Sequence, residues 1–226
     1  MLVDAETLFD LGPGSLKNLV TSKVDTNRVS RVFISHAHAD HVSDLIPFLW
    51  TIQIGGRTRN LDLYGPLGFR RIFDMLLTCT STPQGFIKFP LEIHELNYGE
   101  RVGNIQTCEA SHSIPTLAFR VESLGTSFCY SADTVYCPEV ISLARNVDLL
   151  LHEATFLDDQ VEIANLTRHS TARSAGMAAR TAEAEKLVLF HIPPPNDHRE
   201  GEFRDEASST YGKEIEVGHD LTTFEF

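Results

Sequence analysis

Residues 31–41, RVFISHAHADH, run an apolar strand directly into three histidines and an aspartate. The β-branched and aromatic residues of RVFIS suit a covered, pleated strand. The loop that follows then lies at the strand's C-terminal end, which is where α/β proteins place their sites. His36, His38, Asp40 and His41 are the imidazole and carboxylate ligands that borderline divalent ions prefer. A polar loop with incidental histidines would account for one imidazole, but not for HxHxDH. At this spacing the four side chains point in two directions, so one ion cannot take them all. A two-metal site is the natural solution, and it requires ligands from elsewhere in the chain.

The sequence supplies such residues at similar places. His112 in EASHSIP, Asp133 in CYSADT and His191 in LVLFHIPPP each follow an apolar, strand-like run. The remaining pattern alternates short apolar runs with turn signals and amphipathic stretches, which is the pattern of an α/β chain. ETLFDLGPGS reads as a strand and turn, LKNLV as a helix start, HVSDLIPFLWTIQI as helical, and LDLYGPLG as a strand leading into the helix FRRIFDMLLT. The middle reads as antiparallel, with LEIHELNYGERV, IQTCEASHS, LAFRVES and TSFCYSADT separated by Gly, Asn or Pro. CPEVISLARN, TARSAGMAARTAEA and GEFRDEASSTYG read as helices; VDLLLHEATF, KLVLFHI and the closing LTTFEF read as strands. No repeat or linker divides the chain, so residues 1–226 are expected to form a single domain.

Charge and cysteine usage narrow the partners. The chain carries 19 Lys+Arg against 31 Asp+Glu, a formal net charge of −12. Phosphate contacts supply most of the affinity of a dedicated binder of long nucleic acid, and such binders usually show a basic excess. A long polyanion is therefore disfavoured as a tight partner. Cys79, Cys108, Cys129 and Cys137 show no CxxC pairing and sit in mostly apolar surroundings, so they read as small, reduced core residues. No segment has the length and apolarity of a membrane span, and MLVDAETLFD lacks the basic and apolar regions of a leader. A soluble, cytoplasmic protein with no membrane partner is the expectation.

HxHxDH followed by separated His, Asp and His resembles the metallo-β-lactamase superfamily of dinuclear hydrolases. LLLHEATF and RHST, at residues 149–156 and 168–171, are similar to the HEAT and HST elements of its ribonuclease Z branch, as are LFDLGPGS, LYGPLG and YSADT. The resemblance implies an αββα four-layer sandwich of two mixed β-sheets flanked by helices. It also implies two divalent metal ions per chain, of zinc, with manganese and iron as alternatives. His36, His38 and His112 would bind the first ion; Asp40, His41 and His191 would bind the second; Asp133 would bridge the two. The catalytic residues would be Asp40, Glu153 and His169, with Glu153 orienting His169 as the acid that protonates the leaving alkoxide. A homodimer is implied as well. Ser170 reads as a helix cap and His152 as a structural residue of its strand.

The sequence also departs from that branch. Its tRNA 3′-processing enzymes commonly insert a long arm between the third histidine motif and the bridging aspartate, but here only 21 positions separate His112 from Asp133. The Pro/Lys/Arg/Asn-rich loop of the branch is not evident, and relatives usually have a strand before the one at MLVDAETLFD. The first expectation is accordingly a phosphodiesterase that uses a metal-bridging hydroxide on small or accessible phosphodiesters, a small molecule or a nucleic-acid end. A ribonuclease Z lacking the usual arm is the alternative. A lactone, thiolester or sulfate-ester hydrolase on the same fold is a further one. A metal-dead binding scaffold is disfavoured, because a decayed site has no reason to keep all seven ligands.

Overall fold

The structure is a computed structural model that describes residues 1–224, with Asp197 described by its backbone alone. The chain forms two compact units, Met1–Asn97 and the residues from Tyr98 onward.

The first unit is one mixed sheet with helices. β1 (Leu2–Val3) pairs antiparallel with β2 (Thr7–Phe9); β2 is followed by α1 (Ser15–Thr21) and then by β3 (Arg31–Phe33), which runs parallel to it. The short α2 (Ala39–Val42) and α3 (Leu45–Ile54) lead to β4 (Leu61–Pro66), α4 (Phe69–Cys79) and β5 (Leu91–Leu96). The sheet order is β1-β2-β3-β4-β5, and β3, β4 and β5 are parallel. The alternation in LDLYGP directs Leu61 and Leu63 into a core with Phe48, Leu49, Phe69 and Phe73, while Asp62 and Tyr64 occupy the other face.

The second unit follows the same plan with more strands. β6 (Arg101–Val102), β7 (Ile105–Glu109), β8 (Leu117–Ser123) and β9 (Thr126–Tyr130) form an antiparallel meander. After α5 (Pro138–Leu143), β10 (Leu149–Glu153) joins β9 in parallel. Then come a 3-10 turn at Asp158–Gln160, α6 (Val161–Thr167), α7 (Ala172–Thr181) and β11 (Lys186–Phe190). A 3-10 segment (Pro194–Arg199), α8 (Glu200–Tyr211) and β12 (Glu216–Val217) complete a mixed sheet of order β12-β11-β10-β9-β8-β7-β6. Leu150, Ala154, Leu187 and Leu189 meet Val140 of α5, Ala175 and Ala179 of α7, and Phe203 and Ala207 of α8. No helix is long and apolar enough to cross a membrane among the described residues.

Three expectations are corrected. LEIHEL is not part of the antiparallel region: it is β5, the parallel edge of the first sheet, because the crossover through α4 returns it beside β4. Its alternating pattern could not reveal which strand it would pair with. Cys79 ends α4 on its outward face and is exposed, and Cys108 is only partly buried, whereas Cys129 and Cys137 lie in the core. Of LTTFEF, residues 221–224 are irregular and residues 225–226 lie outside the described ones; the edge strand is β12, five residues earlier.

The row of small residues on α7 sets how closely α8 approaches. A Cβ on Gly176 would overlap the Ala207 carbonyl oxygen and the Thr210 hydroxyl, which itself donates to the Arg173 carbonyl at 2.9 Å. Gly176→Ala brings better helix propensity, worth about 1 kcal/mol, but forces backbone apart. Overpacking of this kind costs about 1–3 kcal/mol, so the variant is expected to be destabilised in chemical denaturation. A midpoint at or above that of the parent would show that the two helices can yield.

Candidate metal centre

In the first unit the candidate ligands after β3 form two close pairs, the second of them in α2. His36 Nε2 and His38 Nδ1 face each other at 3.1 Å, and Asp40 Oδ2 lies 3.8 Å from His41 Nε2. The orientation comes from a residue that the motif does not contain. Asp10, which directly follows β2, accepts from the Ser35 backbone N–H and from the Ser35 hydroxyl, both at 2.7 Å, and its Oδ2 lies 2.8 Å from His41 Nδ1. The Ser35 hydroxyl also sits 3.0 Å from His36 Nδ1. With each Nδ1 directed to a protein oxygen, the Nε2 atoms of His36 and His41 are the ones presented as ligands.

The second unit presents the rest from strand ends. His112 follows β7, Asp133 follows β9, and His191 follows β11. Asp133 is 1% exposed, and its Oδ2 lies 4.0 Å from His112 Nε2 and 3.6 Å from His191 Nε2. One carboxylate oxygen thus stands between two imidazoles, as a bridging ligand would. His112 Nδ1 donates to the Arg168 carbonyl at 2.9 Å, so its Nε2 is the atom turned toward Asp133. Positive φ occurs near these ends among other places: Asp10, Ala132 and His191 follow strands and Arg168 caps α6, with φ between 51° and 64°. Non-glycine residues adopt that conformation only where their surroundings hold them.

Beside these ligands lies the oriented pair. Glu153 is fully buried and accepts four hydrogen bonds. Oε1 takes the Thr134 N–H at 3.0 Å and the His169 Nδ1–H at 2.9 Å; Oε2 takes the Thr155 N–H at 3.0 Å and its hydroxyl at 2.9 Å. That fills the acceptor sites of a carboxylate. Since the Thr155 hydroxyl donates to Glu153, its oxygen accepts from His191 Nδ1 at 2.9 Å, leaving Nε2 of His191 for a metal. The His169 ring stacks on His191 with centroids 5.5 Å apart and meets His112 edge-on at 4.9 Å.

His152 takes the structural place expected of it, whereas Ser170 is not the helix cap that the sequence suggested. The Ser170 hydroxyl donates to the Thr134 carbonyl, and the cap of α7 is Thr171, one residue later. His152 is 1% exposed; its Nδ1–H donates to the Glu153 carbonyl at 2.8 Å, and burial pushes its pKa down.

The donor set fits borderline divalent ions. Two ligands of one tetrahedral zinc, with bonds of about 2.0–2.2 Å, stand about 3.3–3.5 Å apart. The 3.1 Å between His36 Nε2 and His38 Nδ1 and the 3.6 Å between His191 Nε2 and Asp133 Oδ2 lie close to that spacing. The residues that sequence reasoning missed are Asp10, Ser35, Thr134 and Thr155. Asp10 was accessible by the rule used for the histidines, since it too is a ligand-type residue ending an apolar strand. The hydroxyls carried no such signal.

Gly12 holds the β2 loop against the histidine loop. Leu11 N donates to the His41 carbonyl and Asp44 N to the Leu11 carbonyl, both at 2.8 Å, and a Cβ on Gly12 would overlap the Asp40 carbonyl. Gly12→Ala is therefore expected to keep its secondary structure by circular dichroism while losing at least half of its bound metal. Unchanged metal content after gel filtration would refute this coupling.

The chain matches the family model of the β-lactamase superfamily domain over residues 5–192. Ribonuclease Z of Myxococcus xanthus is 31% identical over 272 positions, covering 96% of this chain and 87% of the relative. Among solved structures, the metallo-β-lactamase fold protein YhfI of Bacillus subtilis superposes with a TM-score of 0.82 at 24% identity, over 97% of this chain and 87% of that one. The short form of human tRNase Z superposes with a TM-score of 0.77 at 24% identity, over 98% of this chain and 89% of that one. With two mixed sheets, ligand-bearing strand ends and these relatives, the chain belongs to the metallo-β-lactamase superfamily, in its ribonuclease Z-like branch, and is a metal-dependent hydrolase.

Proposed function

We propose that the protein is an endoribonuclease of the ribonuclease Z type, cutting a phosphodiester near the 3′ end of a precursor tRNA. The observation that carries this reading is the 2.9 Å hydrogen bond between Glu153 and His169, which joins the HEAT and HST stretches into one oriented acid. The ribonuclease Z relative aligned along nearly the whole chain supports RNA over the small diesters first expected.

Two divalent ions, zinc or its manganese and iron alternatives, would be held by His36, His38 and His112 on one side and Asp40, His41 and His191 on the other, with Asp133 between them. The two units would then form a single catalytic domain, and the family match does run through both. When bound, the ions would supply Lewis-acid activation of water and of the phosphoryl oxygens. The chain's own residues do the remainder. Asp40 and Asp133 would add the negative charge that favours divalent cations there. Glu153 and Thr155 orient two rings at once: His191, through Nδ1, as a ligand, and His169, through Nδ1, as an acid. His169 Nε2 is then the atom that can pass a proton to the departing ribose oxygen.

The segment between His112 and Asp133 leaves no room for the arm that many relatives use to grip RNA. Between His112 and Asp133 lie only a loop, β8, a two-residue turn and β9. The Myxococcus alignment runs over 272 positions against a chain of 226, so the relative carries segments absent here. Charge indicates which surface would take over. Residues 98–226 carry 21 acidic against 10 basic residues, while residues 1–97 carry 10 against 9. A polyanion would therefore rest on the first unit, and a homodimer would offer a second copy of that surface. The missing arm is also what favours the second reading, a phosphodiesterase of small or accessible diesters.

Two experiments separate these readings. Metal-loaded protein is expected to cut a precursor tRNA bearing a 3′ extension at one position, and a chelator should abolish the cut. Turnover of a nitrophenyl phosphodiester with no cleavage of the RNA would instead establish the second reading. For the acid, His169→Ala is expected to keep its metal and much of its rate on the nitrophenyl diester, whose leaving group needs no proton. It should lose about 10²- to 10⁴-fold on RNA. Equal losses on both substrates would make His169 a structural residue.

A further inference from the structure

The first sheet carries a second imidazole–carboxylate cluster that contains none of the seven proposed ligands. Phe9, Phe33, Tyr64 and His94 are register partners across β2, β3, β4 and β5. Their rings stack in one line, with centroids 5.3, 4.4 and 4.6 Å apart. The line ends at His94 on the edge strand, where its ring lies flat against Tyr64 with the side chain 35% exposed. Two residues back along the strands runs a polar row in the same register: Thr7, Arg31, Asp62 and Glu92. Arg31 donates to Thr7 and Asn60 donates to Asp62 Oδ2, which leaves Asp62 Oδ1 and Glu92 Oε2 facing His94 Nε2 at 2.9 and 3.9 Å.

We propose that Asp62, Glu92 and His94 bind a divalent transition-metal ion of the zinc class at the edge of the first sheet. The three ligand atoms lie within 4.8 Å of one another. The two imidazole–carboxylate distances bracket the roughly 3.3–3.5 Å that separates two ligands of one tetrahedral ion. A hydrogen bond alone explains less of the arrangement: one Nε2–H can satisfy Asp62, but Glu92 at 3.9 Å is beyond hydrogen-bond reach. Glu92 is 64% exposed and needs only a small rotation to join Asp62 at the nitrogen, where an ion would neutralise both carboxylates. The imidazole favours zinc-like ions over magnesium or calcium, which prefer an all-oxygen shell. Bound there, the ion would join the edge strand β5 to β4 and occupy an edge otherwise open to pairing with other chains.

The test counts metal and does not depend on the proposed reaction. Wild type, His94→Ala and Asp62→Asn are each equilibrated with zinc chloride, dialysed, and analysed for zinc per chain by mass spectrometry. Wild type is expected to hold one zinc ion more than either variant, and all three to retain the same hydrolytic rate. Cobalt-loaded wild type should show a visible absorption component that both variants lack. The same zinc count in wild type and variants would overturn the proposal, whatever that count is and whatever the proteins hydrolyse.

Discussion

Two buried carboxylates, Asp10 in the first unit and Glu153 in the second, are the contacts on which the centre depends. A carboxylate taken out of water is costly unless its acceptor sites are filled. Asp10 is 8% exposed and Glu153 fully buried, and both are supplied with backbone N–H, hydroxyl and imidazole partners at 2.7–3.0 Å. Each carboxylate uses one of those bonds to turn a histidine. Removing either would leave donors and imidazoles unsatisfied in the interior, so its effect would reach both stability and ligand geometry.

The scaffold makes this possible by ending its strands together. In the parallel part of each sheet, neighbouring strands finish at the same edge, and the residues within three positions of each strand end are delivered there: Asp10 and Ser35 in the first unit, and Asp133, Ala154 and His191 in the second. The helices cover one face of each sheet and provide its core. In the second unit this includes the alanine-rich surface of α7, whose small side chains admit α8 at close range. The positive φ values at Asp10, Ala132 and His191 are the local cost of turning the chain at those ends. Packing well away from the ligands is thereby linked to the geometry of the ligands themselves.

Substrate choice rests on features of a different kind. The hydrolytic set has the same residues whether the diester is small or part of an RNA; what differs is the surface that would hold the remainder of the substrate. The short hairpin between His112 and Asp133 and the near-neutral first unit both bear on that surface. Neither alters the chemistry that Glu153 and His169 can perform. The charge of −12, taken over the whole chain, had weighed against RNA; divided between the units, it concentrates the repulsion in the second.

Much of this was legible in the amino-acid order. HxHxDH, His112, Asp133 and His191 stood out as candidate ligands because each follows an apolar run, and the run is a local property. Glu153 and His169 came from the resemblance of the HEAT and HST stretches to a known branch, and LDLYGP was legible as a strand. Pairings between distant residues were not legible. LEIHEL could not declare that it would lie parallel to β4, because a strand's period specifies its faces and not its neighbour. Asp10 could not be linked to His41, 31 positions away, nor Thr155 to both His191 and Glu153, because hydroxyls and carboxylates are common on surfaces. Sequence alone thus determined which residues could bind metal and which elements would carry them. The tertiary structure decided which nitrogen of His36, His41, His112 and His191 each ligand presents, because that depends on a hydrogen-bond acceptor that only folding brings within 3 Å.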